Sequence, residues 1–471
     1  MKLTDMKIEL IKIPLKKPFR IAFAVQDHSV NVLVKLITDE GVWGIGEAAP
    51  FEPVTGENSN TVVEVLKLFQ QGLMGRDPMD LEGIHQMMDN LISGNTAAKA
   101  AVDIALYDIR GKVMGQPLYK VLGGSRNKIV TDMTIGIDKP EYMAQEAKER
   151  VERDGFTILK VKAGICPQDD IRALTLIREA VGPDVRLRVD ANQGYTVGDA
   201  VRTLKAFEKL GVEAVEQCLP WWDVEGARLV RSKVDMKIML DESIHSPVDA
   251  AHACRLDAAD ILNIKLMKCG GLYPAEKINS VAEANHVQCM VGCMLETKVA
   301  IAAGVALVAA KANITEADCD SFMYAVDPEM GMPGGFSVKG GVYTLSQLSP
   351  FKNDPDDARR LAAWKAEGQW YKDNQKQLDD IYDKLTHLRD KMGKKLGYEG
   401  YTTLGYYRMG RNCYTKADVE KFRAAVVKYL VPLADSIYRE QAKRLGKQYP
   451  MSFADNALMF RSGNPAPCGD A

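Results

Sequence analysis

The chain has 471 residues, 46% of them hydrophobic, with 61 basic against 63 acidic side chains and a formal net charge of -2. A chain of that length predicts two or three structural units with room for a large core. The near-neutral balance gives no electrostatic reason to expect nucleic acid or an anionic membrane as partner, and no run of about 18 apolar residues is present to cross a bilayer.

The first twenty residues alternate apolar and polar side chains and lack the apolar run of a secretory signal. Nine cysteines are scattered and odd in number, without a Cys-x-x-Cys pair. Reduced thiols in a cytoplasmic protein are the simplest expectation. Residues 1–125 begin with strand signals: Val30, Val32, Val34 and Leu36 alternate with other residues. Gly41-Val42-Trp43-Gly44 then predicts a turn into Ile45-Gly46-Glu47. Helical patterns follow over 60–75 and 96–114. The second starts at Asn95 or Thr96 as a cap and stops near Gly115-Gln116-Pro117. This region reads as a small α+β domain. Its glycines do not form GxGxxG and open no helix, which argues against a nucleotide loop.

Residues 126–329 alternate short apolar strands with helices. The strands are predicted at Ile129–Ile137, Ile158–Lys162, Arg186–Asp190, Ala214–Glu216, Lys237–Asp241, Ile261–Lys265, Val287–Val291 and Asp318–Phe322. Eight such repeats predict an α/β fold, a (β/α)8-type barrel. After it, Pro333-Gly334-Gly335 and the strand-like Val342–Leu345 suggest that 330–347 returns to the first domain. Residues 348–471 read as a helical segment: a long polar helix from Asp354–Asp357 to about Leu396, a second over Lys416–Leu445, and a turn at Ser462–Pro465.

The chemistry-bearing residues recur at the carboxyl ends of the barrel strands. Lys160 and Lys162 end the second, Asp190 the third, Glu216 the fourth, Asp241 the fifth and Lys265 the sixth; the intervals from Asp190 onward are 26, 25 and 24 residues. One strand-helix unit has about that length, so these groups gather on the face where barrel active sites sit. A single acid at a strand end is usually a helix cap or a surface ion pair; five charged ends at one spacing are harder to explain that way. Three converging carboxylates call for a cation, and an all-oxygen donor set without His or Cys suits magnesium. Such a site can stabilise the charge formed when a proton is removed next to a carboxylate. A neutral lysine can take that proton, and Lys160 beside Lys162 favours the neutral form. Lys162 and Lys265 would face each other across the mouth, as inversion of a stereocentre requires.

Lys160-Val161-Lys162, Asp190-Ala191-Asn192, Glu216-Gln217, Asp241-Glu242-Ser243 and Asn263-Ile264-Lys265 resemble the muconate-lactonising subgroup of the enolase superfamily. The resemblance covers residues 1–346; Gly44–Ala48 and Ala105–Asp108 look like its capping-domain signatures. It implies that Asp190, Glu216 and Asp241 bind Mg2+, that Lys162 and Lys265 are the acid/base pair, and that Lys160 contacts the substrate carboxylate and tunes Lys162. Gly292–Lys298 and Asp318-Cys319-Asp320 look like the dipeptide epimerase branch, an isomerase in which Asp318 and Asp320 would hold the ammonium of a dipeptide. Residues two apart on a strand point the same way, so both could reach one cation. Thr134 is a substrate-contact candidate, or equally a β-branched packing residue. The specificity loop is expected at 19–28. It is largely apolar, with Arg20 read as facing solvent and His28 as structural, which leaves an apolar second residue open.

Residues 357–468 resemble part of oligoendopeptidase F-type zinc metallopeptidases, carried by Leu385–Tyr398, Tyr406–Tyr414 and Ser452–Ala457. None of the six histidines begins HExxH, so no zinc peptidase is expected there. Two other readings stay open. One is a cycloisomerase or dehydratase of another carboxylate, which would have no use for two anions at Asp318 and Asp320. The other is a peptide-binding protein acting through the tail. Barrels of this kind often form homo-oligomers, and the sequence fixes no number.

Overall fold

The computed structural model describes residues 1–328, 335–345, 357–373, 375–401, 416–452 and 455. Pro333-Gly334, Asp354–Asp356, Tyr406–Tyr414 and Ser462–Pro465 lie outside the described residues. The chain divides into two units, Met1–Ser346 and Gln347–Ala471.

Strands β1 (Leu3–Ile21) and β2 (Ala24–Thr38) form a long antiparallel hairpin whose tip turns at Ala22-Phe23, with Phe19 opposite Gln26. Val32, Val34 and Leu36 face inward and are fully buried, as period-two alternation requires. Gly41, at φ +77°, makes the turn into β3 (Trp43–Ala48). Gly44 and Gly46 lie inside β3 and answer a different demand. A Cβ on Gly46 would stand 1.9 Å from the Ala101 carbonyl oxygen, and one on Gly44 2.0 Å from that of Ala105. Helix α4 (Thr96–Met114) therefore rests its backbone directly on the strand, where no side chain fits.

The short helix α1 (Glu52–Thr55), then α2 (Ser59–Leu73) and α3 (Leu81–Leu91), precede α4. The sequence reading omits α3, whose apolar face is reduced to Leu81, Ile84 and Met88 around Gly83 and His85. Asn95 does not cap α4 as expected: it sits at φ +51° and its amide donates to the Ser93 carbonyl. The buried Glu57 carboxylate accepts from Ala97 N–H and Ala98 N–H instead, at 2.8 and 3.1 Å. The short helix α5 (Leu118–Val121) leads into the barrel.

The predicted strand Ile129–Ile137 divides into β4 (Lys128–Val130) and β5 (Met133–Ile135). Eight parallel strands then run in sequence order: β5, β6 (Ile158–Lys162), β7 (Arg186–Asp190), β8 (Val212–Glu216), β9 (Lys237–Leu240), β10 (Ile261–Ile264), β11 (Gln288–Val291) and β12 (Ile314–Ala317). This is the expected (β/α)8-type architecture. The last strand is earlier than predicted. Asp318 follows its end, and Ser321–Tyr324 is a 3-10 turn. Thr315 and Glu316 blur the apolar pattern of β12, and the more apolar Phe322 drew the reading onward. Asp132 N–H donates to the Ala317 carbonyl at 3.2 Å, Cys319 N–H to Thr131 Oγ1 at 2.9 Å and Thr134 N–H to Asp320 Oδ2 at 2.7 Å, joining first strand to last.

The outer helices include α6 (Pro140–Glu152), α7 (Pro167–Val181), α8 (Val197–Lys209), α9 (Val224–Arg231) and α10 (Pro247–Arg255), then the short α11 (Leu266–Cys269), α12 (Leu272–Ala284) and α13 (Lys298–Ala310). Strand β14 (Val342–Leu345) pairs with β13 (Phe336–Lys339) and with β4. From the first domain, Asp103 of α4 accepts from Leu272 N–H and Tyr273 N–H at 2.5 and 3.2 Å, closing the N-terminus of α12.

In the second unit, helices cover Asp357–Asp373, Gln375–Lys395, Lys416–Ala425 and Val431–Leu445. Arg360 joins Asp357 and Asp455 at 2.6 Å each. Phe422, Val427, Tyr429 and Ile437 remain largely exposed. Among the described residues no helix is long and apolar enough to cross a membrane. Gly46→Ala should destabilise the first unit by about 3 kcal/mol, because strand and helix backbones must separate; chemical denaturation measures it.

Candidate active site

The sequence-predicted residues meet at the carboxyl ends of the barrel strands, all buried. β6 delivers Lys160 and Lys162 on one face because side chains alternate along a strand. Lys160 Nζ lies 2.7 Å from Asp318 Oδ2, 2.8 Å from Glu216 Oε2 and 3.1 Å from Asp190 Oδ2. Lys162 Nζ lies 2.6 Å from Asp190 Oδ2. Lys265, just past β10, lies 2.7 Å from Asp241 Oδ2. β6 and β10 are four strands apart in an eight-stranded sheet, so Lys162 and Lys265 come from opposite sides of the mouth.

Asp190, Glu216 and Asp241 do not form a bare carboxylate cluster, since ammonium groups are interposed. Among the described residues only Cys293, Asp318 and Asp320 bring ligand atoms within 4.8 Å of one another. Burial disfavours ionised Asp190, yet Lys162, Lys160 and Lys265 outweigh it and hold the carboxyl at about 2. Glu216 is pushed up to about 8 by burial and by Asp190. Burial works against a charged Lys160, but Asp318, Glu216 and Asp190 raise it well above an ordinary lysine. Burial also opposes charge on Lys265, and Asp241 more than compensates, so its proton is held more tightly than usual.

Three residues outside the predicted set belong to the site. Lys268, fully buried one helical turn after Lys265, lies 2.5 Å from Asp241 Oδ1 and donates to the Asn263 carbonyl at 3.1 Å. Glu242, beside Asp241, is pushed up to about 7 by burial and by Asp241. Glu296, after β11, is pushed up to about 8 by burial and by Glu47. Sequence spacing could have found Lys268 and Glu242. Glu296 lies beyond a strand end by several residues and carried no periodic signal.

The donor set fits magnesium. Seven buried carboxyl groups, Asp190, Glu216, Asp241, Glu242, Glu296, Asp318 and Asp320, face four buried ammonium groups, Lys160, Lys162, Lys265 and Lys268. Glu242 Oε2, Asn192 Oδ1 and Asn263 Oδ1 are buried oxygens without a hydrogen-bond donor. Carboxyl groups that outnumber the ammonium groups, and unfilled hard oxygens, are what a divalent cation satisfies.

Asp318 and Asp320 come together, though not by strand alternation: Asp318 follows β12 and Asp320 opens the 3-10 turn. Asp320 Oδ2 lies 2.7 Å from the Tyr324 hydroxyl and accepts from Thr134 N–H. Thr134 is buried in the middle of β5. Above the lysines, the hairpin tip and two loops line a cavity with Phe19, Ile21, Phe23, Phe51, Val54, Met294 and Leu295; Lys162 and Lys265 form its floor. Arg20 is exposed, and His28 pairs with Asp27 at the surface.

Residues 4–123 match the family of mandelate racemase/muconate lactonizing enzyme N-terminal domains, and residues 142–350 match the enolase C-terminal domain-like family. An L-Ala-D/L-Glu epimerase of Clostridium acetobutylicum is 44% identical over 319 residues, 67% of this chain and 89% of that protein. A hydrophobic dipeptide epimerase of Enterococcus faecalis is 43% identical over 322 residues, 68% of this chain and 91% of that protein. The crystal structure of the dipeptide epimerase from Enterococcus faecalis V583, complexed with Mg and the dipeptide L-Leu-L-Tyr, is 41% identical with a TM-score of 0.72, covering 74% of this chain and 98% of that one.

Burial, and Asp318 beside it, push the Asp320 carboxyl up to about 6. It is an anion above that pH and neutral below, so its attraction for an amine is present at neutrality and lost on acidification. The KM for a dipeptide should rise about tenfold between pH 7 and pH 5, and Asp320→Asn should remove that dependence; initial-rate kinetics check both.

Proposed function

The chain belongs to the mandelate racemase/muconate lactonizing enzyme family of the enolase superfamily, and on that premise we propose that it inverts the α-carbon of dipeptides with apolar side chains. It is a magnesium-dependent dipeptide epimerase, an isomerase acting on amino acid derivatives. The observation that carries the proposed mechanism is the pair of lysines, Lys162 and Lys265, approaching one cavity floor from opposite sides.

In this reading Asp190, Glu216 and Asp241 hold magnesium. When bound, the metal supplies fixed positive charge for the carboxylate on which negative charge develops. Lys160, already paired with three carboxylates, orients the substrate carboxylate. One of Lys162 and Lys265 removes the α-proton and the other returns a proton to the opposite face, so the direction of reaction decides which is base and which is acid. Asp318 and Asp320 receive the ammonium of the dipeptide, with Thr134 lining that end. The hairpin cavity supports apolar specificity: its upper wall is aromatic and aliphatic, and Arg20 points to solvent. The Enterococcus faecalis relative is a hydrophobic dipeptide epimerase.

The near-neutral charge supports the absence of a nucleic-acid partner, and the seven free cysteines among the described residues support a cytoplasmic setting. The helical tail is read as an appendage akin to an oligoendopeptidase F fragment without its zinc motif, taking no part in catalysis, and homo-oligomers are expected of the barrel.

In heavy water with magnesium, apolar dipeptides should lose their carbon-bound α-hydrogen to deuterium, and a chelator should stop the exchange. Lys162→Ala and Lys265→Ala should each slow epimerisation by about 10³-fold, read by chiral chromatography. A protein that exchanges no α-hydrogen ends the reading. Limited proteolysis within residues 347–356 should leave the exchange rate unchanged; loss of activity with the barrel still folded would give the tail a role.

A further inference from the structure

We propose that Asn31 and Glu47, with Ser29, are positioning residues for substrate selection. They clamp the barrel segment Met294–Thr297 to the root of the β1–β2 hairpin, so that both walls of the side-chain cavity move as one unit. The inference rests on the dipeptide epimerase reading and concerns residues that touch none of the reacting groups.

The two walls come from different domains. Phe19, Ile21 and Phe23 belong to the hairpin, while Cys293, Met294 and Leu295 follow barrel strand β11. Nothing in the barrel's own hydrogen-bonded ladder fixes the distance between them. A buried polar network does. Asn31 Nδ2 donates to the Leu295 carbonyl at 2.8 Å and to Glu47 Oε1 at 2.7 Å. Glu47 Oε1 also accepts from Thr297 N–H at 2.8 Å. Glu47 Oε2 accepts from Thr297 Oγ1 at 2.7 Å and from Ala300 N–H at 3.0 Å. Ser29 Oγ lies 2.5 Å from Asn31 Oδ1 and 3.2 Å from the Leu295 carbonyl. Asn31 and Glu47 have no solvent exposure.

The placement shows why the clamp acts on recognition. Ser29 and Asn31 stand on β2 three and five residues after Gln26, just outside the Val32–Ala48 pair at which β3 joins the sheet. Glu47 stands at the N-terminus of α13, so its charge meets the unpaired N–H groups of that helix and stops the preceding loop from unwinding. Apart from the half-buried Leu295, every hydrogen-bonding partner is buried, so losing one member leaves others unsatisfied and the loop free to shift. A displacement of a fraction of an ångström between the walls changes which side chain fills the cavity while leaving the lysines on their strands.

The test compares α-hydrogen exchange of L-Ala-L-Leu and L-Ala-L-Ala by the wild-type full-length protein, Asn31→Ala and Glu47→Gln. In Glu47→Gln one end of the side chain becomes an NH2 that cannot accept, so either the Asn31 Nδ2 and Thr297 N–H bonds at one end or the Ala300 N–H bond at the other is lost. The preference in kcat/KM for the Leu dipeptide should fall about tenfold in each variant, through KM. The saturating exchange rate should stay within about twofold. A preference unchanged in a folded variant overturns the proposal, as does an equal fall in kcat/KM for both dipeptides, which marks a merely structural role. If Asn31→Ala does not fold, as circular dichroism would show, Glu47→Gln decides. If the wild-type protein exchanges neither dipeptide, the underlying reading has failed, which is a separate result.

Discussion

Buried charge compensated by buried charge governs the mouth of the barrel. Taking an ammonium or a carboxylate out of water costs several kcal/mol, and removing one member of such a pair costs about 3–5 kcal/mol more. Lys160 lies against Asp190, Glu216 and Asp318, while Lys162 shares Asp190, and Lys265 and Lys268 share Asp241. The strand order is what brings these groups within reach, so the fold and the site depend on each other. The compensation is incomplete, and its shortfall appears where burial and neighbouring acids keep protons on Glu216, Glu242 and Glu296. The site is therefore built to receive further positive charge, and the same carboxylates that demand it hold the proton on Lys265.

The first domain is tied to the barrel by a repeated device. Glu47 of β3 and Asp103 of α4, both buried, each accept main-chain N–H groups at the start of a barrel helix, α13 and α12 respectively. An acidic side chain there meets unpaired donors and the positive end of the helix dipole. Gly44 and Gly46 let α4 come close enough for Asp103 and Glu47 to work from one compact domain.

Much of this was legible in the sequence, for identifiable reasons. Charged residues ending apolar runs at intervals of 26, 25 and 24 carry the barrel's repeat and the face on which they meet. The β2–β3 hairpin was legible through period-two alternation and a glycine turn, and helix α4 through the Gly115-Gln116-Pro117 stop that follows it. What failed were features without period. Strand β12 was displaced because Thr315 and Glu316 interrupt its apolar pattern. The cap of α4 comes from Glu57, far from Asn95 in sequence. The interposed ammonium groups between Asp190, Glu216 and Asp241 were also out of reach, since spacing along a strand says which face a side chain takes and not which neighbour it touches.

The junction between β5 and β12 has a consequence for ligand occupancy. Most neighbouring strands in the cylinder share a regular main-chain ladder, but here the chain ends meet through the Asp132–Ala317 bond and through contacts of Thr131 and Thr134 with Cys319 and Asp320. The proposed amine site lies on this same seam. A dipeptide whose amine bridges Asp318 and Asp320 would act as a staple across it, so that filling the site would also finish the circle of the barrel wall and add the ligand's binding free energy to the stability of the closed cylinder.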